Sequence, residues 1–370
     1  MTRFLHSGLL LLVALGLVSA DALAEPLKTR NVILVTLDGV RPVDFFGGLD
    51  ETIAAHDALQ EYSDIALERE RFSGATPQAR REALMPFFWH TLAPMGIVVG
   101  NAAYDNHMKV ENAVAWSSPG YEEMLTGAPR AEVVDNTLKR YPHVTVLQFV
   151  NDRLKPGFGQ VAEIGSWDGF KTAAADRDDA FVMLGAYDGF PAALSNAAMD
   201  ELAALRPQVL GLWEDSSNTA VTWHMAKAYL LKNHPRLMWL AVGNTDDFAH
   251  ADRYDRYLEC LHLVDQLLAD LWGTLQSQEA YRDATTLVIT TDHGRGLTGG
   301  DWSEHDIAIP GSSDIWAAVI GPDTPDVGEV REAGTAVQGQ IAATVAQFFG
   351  LDFREAEPAA RPPLAGSMRK

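Results

Sequence analysis

A chain of 370 residues, 47% hydrophobic and 21% charged, has the composition of a globular protein with a substantial core, as one large α/β domain or two smaller ones. Its formal net charge of −21 excludes a nucleic-acid surface, which needs clustered Lys and Arg. An anionic substrate must therefore be drawn in locally, as a bound cation would do. The single cysteine, Cys260, excludes an intramolecular disulfide and a thiolate metal cluster, so any metal must be held by imidazole and carboxylate.

Residues 1–24 read as a signal peptide: Arg3 gives the positive start, Leu9–Val18 the apolar stretch and Ala22-Leu23-Ala24 the cleavage site. An uncleaved anchor is the other reading, but the stretch falls short of the roughly 20 apolar residues of a membrane span. No later run approaches that length. Export to a periplasm or the exterior follows, with no membrane span after cleavage.

Asn31–Leu37 is a run of β-branched and apolar residues without alternation, the pattern of a strand buried on both faces, and it ends in Asp38-Gly39. Residues 51–71 fit either helix or exposed surface. Ala79–Ala93 has helical spacing, and Gly96–Gly100 is a short strand. Residues 112–127 form a loop-to-helix junction, with Pro119 suited to the first turn and Gly127 to the stop. Ser117 thus lies at a helix N-terminus, where free N–H groups favour an anion.

Further strands are predicted at Val144–Phe149, Val161–Gly165, Phe181–Gly185, Leu237–Gly243, Thr285–Thr290 and Ile315–Ile320. Helical patterns at Thr219–Lys232, Asp255–Gln276 and Gln338–Phe349 separate them. Cys260 falls inside the second of these. Strand alternating with helix predicts an α/β fold, a mostly parallel central sheet with helices on both faces. One catalytic domain is expected over 25–354, and from Glu355 the Pro-rich end (Pro358–Pro363) reads as a poorly ordered tail.

Three predicted strands end in carboxylates: Asp38, Asp246 and Asp292. On one edge of a parallel sheet, where α/β ligands bind, their mutual repulsion calls for cations. Asp246 and His250 are four apart and share a helix face; Asp247 also has the spacing to His250, but reads better as a helix-start carboxylate. His293 follows Asp292 directly, and His305 lies a short loop away. His56, His90, His107, His143, His224, His234 and His262 sit in helical or surface contexts and are read as structural. Asp38, Asp246, Asp292, His250, His293 and His305 together supply ligands for two divalent ions, zinc by donor type, with manganese or iron as lesser options. Ser117 is the candidate nucleophile for in-line displacement at phosphorus.

The blocks Leu37-Asp38-Gly39, Ser117-Ser-Pro-Gly-Tyr-Glu-Glu-Met-Leu-Thr-Gly127, Asp246-x-x-x-His250, Asp292-His293-Gly294 and His305, in this order, resemble the alkaline phosphatase superfamily. Within it they look most like the type I phosphodiesterase/nucleotide pyrophosphatase branch and its sulfatase-like bacterial relatives, over about Asn31 to Phe349. The resemblance implies an alkaline-phosphatase-like sandwich. It places one zinc on Asp38, Ser117, Asp292 and His293 and the other on Asp246, His250 and His305, with the loop from His293 to His305 crossing between the ions. It also implies a substrate-binding asparagine, for which Asn136 is the loose match; a turn asparagine is the alternative. Trp116 replaces a lysine common before the nucleophile, and the His293–His305 loop is short. Tyr121 stands where formylglycine-forming sulfatases need arginine, which argues against true sulfatase chemistry.

The implied function is an exported, metal-dependent phosphodiesterase or phosphatase that acts on a small phosphorylated substrate through a phosphoseryl intermediate. Phosphomonoesterase or sulfatase-like activity on the same site, a phosphoglycerate-mutase-like reaction and a non-catalytic metal- or anion-binding role are the rivals. Arg41 reads either as a substrate-anion contact or as a surface salt bridge. The oligomeric state is left open.

Overall fold

The computed structural model describes residues 26–369, so the signal peptide reading lies outside the described residues. Among the described residues, eleven strands form two sheets: β1 (Asn31–Leu37), β2 (Gly96–Val99), β3 (Asn106–Lys109), β4 (Val161–Gly165), β5 (Val182–Leu184), β6 (Leu237–Val242), β7 (Thr285–Thr290), β8 (Asp314–Ile315), β9 (Ala317–Ile320), β10 (Gly328–Glu329) and β11 (Gly334–Val337). The large sheet has the order β10-β2-β9-β7-β1-β6-β4-β5, and β9 alone runs against the rest. The small sheet is β11-β3-β8.

The non-alternating strands are explained by the two cores they separate. Ile33, Val35 and Leu37 of β1 face a cluster that includes Trp223 and Tyr229 of helix Thr219–Asn233 and Leu258, Leu261 and Leu268 of helix Tyr254–Ser277. Val32 and Leu34 face the opposite cluster, built on Met124, Val146, Val150 and Ile341 from helices Ser117–Thr126, Val146–Leu154 and Gln340–Gln347. Both faces are covered, as parallel sheets require. No helix among the described residues is long and apolar enough to cross a membrane.

Several predicted elements differ. Val144–Phe149, read as a strand, belongs to helix Val146–Leu154: Thr145 caps it by accepting the Gln148 N–H at 3.3 Å, and local capping outweighs the β-branched composition. Helix Ala79–Ala93 stops at Leu84, because Pro86 forces Met85 out of the helical region (φ −129°, ψ 65°); one π-turn, Phe88–Leu92, follows. Ile315–Ile320 splits at Trp316 between the two sheets. Residues 51–71 hold helices Glu51–Asp57 and Ile65–Phe72.

The C-terminal segment is not a loose tail. Arg361 N–H donates to Gly127 O at 2.8 Å, Leu364 N–H to Thr344 Oγ1 at 2.8 Å and Arg369 N–H to Asp323 O at 2.7 Å, while Phe353, Ala360 and Leu364 are buried. Its prolines lack donors, but Phe353, Ala360 and Leu364 join the core cluster that includes Ile341 and Val345 of helix Gln340–Gln347.

Candidate metal and nucleophile site

Asp38, Asp246 and Asp292 all sit just past the carboxyl ends of three adjacent strands, β1, β6 and β7. Gly39 turns the chain there in the left-handed region (φ +61°), and a Cβ at this position would lie 2.7 Å from Asp246 Oδ1 and 2.8 Å from Arg295 Nε. Gly39 N–H donates to Asp292 Oδ1 at 3.0 Å and Thr245 Oγ1–H to Asp38 O at 2.6 Å, so the strand ends hold one another.

Ser117 opens its helix with Trp116 as the cap residue. The approach is bent: Ala115 has φ +54°, a conformation costly for a residue with a Cβ, and Asn112 Oδ1 holds it by accepting the Ala115 N–H at 2.7 Å. Buried Glu123 in turn accepts from Asn112 N–H and Nδ2 at 2.8 and 3.0 Å. Gly120 lets the helix press on the end of β7, since a Cβ there would lie 2.6 Å from Asp292 O. Ser117 Oγ is thereby placed 3.5 Å from Asp38 Oδ1 and 3.4 Å from His293 Nε2.

Two groups of donors result, each within 4.8 Å among its own ligand atoms: Asp38, Asp292 and His293, and Asp246, His250 and His305. The first is buried; the second is more exposed. His293 Nε2 stands 3.4 Å from Asp38 Oδ1, 3.4 Å from Asp292 Oδ2 and 3.7 Å from Asp246 Oδ1, which puts the groups side by side. Nδ1 of His293 meets Gly294 O at 2.9 Å and Nδ1 of His305 meets Ala115 O at 3.1 Å. With Nδ1 so engaged, each ring turns Nε2 inward, the arrangement of metal-ligating imidazoles. His250 Nε2 lies 3.1 Å from His305 Nε2 and 3.3 Å from Asp246 Oδ2.

This donor set fits divalent cations. Asp292 Oδ2 is a buried oxygen without a hydrogen-bond donor. Burial, then Asp38, pushes the Asp292 carboxyl up, and Asp292 and Asp38 push the His293 ring up against its burial. The cluster thus collects protons where it lacks positive charge. His305 and His250 are held down by burial and by His293, which keeps them as neutral donors.

Of the sequence candidates, Asn136 Oδ1 accepts the Ser118 N–H at 2.9 Å and its side chain lines the pocket with Ser117. Asp247 stays out of both groups, accepting from Ser216 Oγ and Asn244 Nδ2 at 2.8 Å each. Arg41 is neither a surface residue nor a pocket residue: fully buried, it pairs with Asp44 at 2.7 Å and donates to Gly296 O at 2.8 Å. Sequence reasoning missed Arg295, which is fully buried, contacts the Asp246 carboxylate and donates to Gly39 O and Ser303 O. A basic residue directly after Asp-His-Gly, among three carboxylates, was the available signal. It also missed the Glu123–Asn112 brace and Tyr121, whose hydroxyl donates to Asp38 Oδ2 at 3.2 Å.

The pocket over Ser117 has a volume of about 170 Å3 and is walled by Trp167, Trp213, Asp215 and Ser216 from the 166–217 region. No protein-family model and no curated protein matches the sequence. Solved structures do match. A phosphonate monoester hydrolase from Silicibacter pomeroyi superposes with TM-score 0.56 at 12% identity, covering 91% of this chain and 76% of the other. A variant of the alkaline phosphatase PafA gives TM-score 0.56 at 11% identity, over 93% of this chain and 99% of that one. The chain has the alkaline-phosphatase fold. A 2-O GAG sulfatase shares it as well, with TM-score 0.53, 13% identity and coverage of 92% and 74%. Within this fold, the two donor groups and Ser117 lie together at the carboxyl edge of the sheet.

Proposed function

We propose that the protein is an exported hydrolase of phosphate esters, dependent on two zinc ions, that works through Ser117 and a phosphoseryl intermediate. The observation that carries this reading is Ser117 Oγ at 3.5 Å from Asp38 and 3.4 Å from His293, beside two adjacent donor groups. Asp38, Asp292 and His293 with Ser117 would hold one ion, and Asp246, His250 and His305 the other. When bound, the pair supplies Lewis acidity to the attacking and leaving oxygens and neutralises phosphoryl charge.

Ser117 Oγ attacks phosphorus in line and its proton passes to solvent; the P–O bond to the alcohol breaks on the far side, the departing oxygen takes up a proton from solvent, and phosphoserine forms. Water then attacks phosphorus from that vacated side, the P–Oγ bond breaks, and Ser117 recovers a proton. Asn136, its Oδ1 engaged by Ser118 N–H, offers its amide N–H to a phosphoryl oxygen. The N-terminus of helix Ser117–Thr126 favours the same negative charge.

Apart from Asp38 and Asp246, which would hold the ions, Asp215 and Asp247 line the pocket, and none of the described residues lining it is Lys or Arg. A phosphomonoester dianion meets more repulsion there than a monoanionic diester, so diesters are the preferred class. Sulfate monoesters carry the same single charge and form the second reading. The zinc-loaded protein is to be assayed on p-nitrophenyl esters: bis-phosphate, phenylphosphonate, phosphate and sulfate. Fastest turnover is expected on the diester or phosphonate; no turnover of any ester contradicts the proposal.

A further inference from the structure

One side of the pocket is not used by the hydrolytic chemistry. Trp167, Phe170, Trp213 and Asp215 line it. They come from two segments, one after β4 and one before helix Thr219–Asn233, joined by a β-bridge between Trp167 and Ser216. The Trp167 ring covers Gly169, where a Cβ would lie 2.1 Å from a ring carbon, so only glycine allows this placement. Its Nε1–H donates to Asp215 Oδ2 at 2.9 Å, and Asp168 N–H donates to Asp215 O at 3.2 Å, which fixes the indole and the carboxylate together.

Asp215 is half-buried, and its negative charge joins none of the ion pairs among the described residues. Trp213 contributes a wall of the pocket while 49% of it remains exposed, and its neighbours Leu210 and Leu212 are exposed too. Indole faces carry negative potential, and a carboxylate beside them adds a full charge. The Asp215 carboxylate and the exposed Trp213 indole favour a cation on this side, and none of the described lining residues is a Lys or Arg that would oppose one. A flat neutral group could stack on Trp213 but would gain nothing from Asp215. A volume of about 170 Å3 suits a phosphoryl group with a short chain better than a nucleotide.

We propose that Trp167, Trp213 and Asp215 form a subsite for a cationic amine, so that the substrate is a phosphate ester of a short amino alcohol, with an ammonium or quaternary ammonium group. Such a diester is a zwitterion with no net charge for the acidic protein to repel, which accommodates the formal net charge of −21. This proposal rests on the ester-hydrolase reading for its chemistry but not for its recognition.

The test pairs p-nitrophenyl phosphorylcholine with p-nitrophenyl 3,3-dimethylbutyl phosphate, which has carbon in place of the quaternary nitrogen, on the zinc-loaded protein. The cationic ester is expected to have a kcat/KM about tenfold higher, and Asp215→Asn and Trp213→Ala are each expected to bring the ratio toward one. A ratio near one for the unaltered protein, or a ratio that neither variant changes, overturns the proposal. Calorimetric titration with phosphocholine and with 3,3-dimethylbutyl phosphate separates this claim from the parent reading. If neither ester is turned over, the hydrolase reading fails, and the titration still decides the subsite. Tighter binding of phosphocholine that Asp215→Asn removes supports it; equal binding of the two ligands overturns it.

Discussion

Ser117 and Arg295 mark the two ends of what single residues do at this site. Ser117 has its hydroxyl oxygen among the donors of the buried group, and no other serine or threonine hydroxyl is described in contact with both Asp38 and His293. Ser117→Ala is expected to lower kcat on the best ester by about a thousandfold or more, read by steady-state kinetics on a protein of unchanged circular dichroism. A variant that keeps its rate removes Ser117 as the nucleophile. Arg295 touches the reaction only through Asp246. Replacing it with Met leaves that carboxylate and the carbonyls of Gly39 and Ser303 without their donor. The loss of half of a buried pair costs about 3–5 kcal/mol, and a urea titration should show it as a lower midpoint. An unchanged midpoint would mean that the guanidinium does not hold the site together.

Among the elements, helix Ser117–Thr126 is the most constrained, being buried on every face although it carries two consecutive glutamates. Burial pushes Glu122 up to about 8 from an ordinary value of 4.5, with Arg130 working against the shift. A carboxyl raised in the folded state contributes stability that is fully present below pH 4.5 and is lost as pH rises through about 8. Glu122→Gln should therefore flatten the fall in melting temperature over that window, and the gain over the unaltered protein should be largest at its alkaline end. An identical pH profile for the two proteins contradicts this origin. Elements were legible in the sequence where one signal ruled: β1, β6 and β7 were readable because strands buried on both faces need no alternation. Helix Val146–Leu154 and the break at Pro86 were misread because a cap and a proline overrode composition. That Asp38, Asp246, Asp292, His250, His293 and His305 would gather at one edge was legible because the aspartates follow strands β1, β6 and β7 and the histidines lie close to them in the chain. Arg295, Asn112 and Glu123 were not, because no local pattern shows where a loop side chain turns or which backbone groups a buried carboxylate will meet.

At the scale of the whole molecule, the carboxyl edge of the sheet concentrates negative charge in a protein already at −21. Cations that bind there only in the folded state should stabilise it, each by about 2.7 kcal/mol at a hundredfold excess over its dissociation constant. A chelator should lower the melting temperature and zinc should restore it, with two ions per chain by elemental analysis; insensitivity to both would argue against a metal centre. The 166–217 region extends the same edge into a wall, so the site that would do chemistry and the one that would choose substrate belong to one pocket. The most direct test of the central claim is acid quenching of the zinc-loaded protein during turnover of a 32P-labelled diester, labelled at phosphorus, followed by peptide mapping. Label is expected on the peptide that carries Ser117, as phosphoserine. Turnover that leaves no label on the protein, or label on another residue, would contradict it.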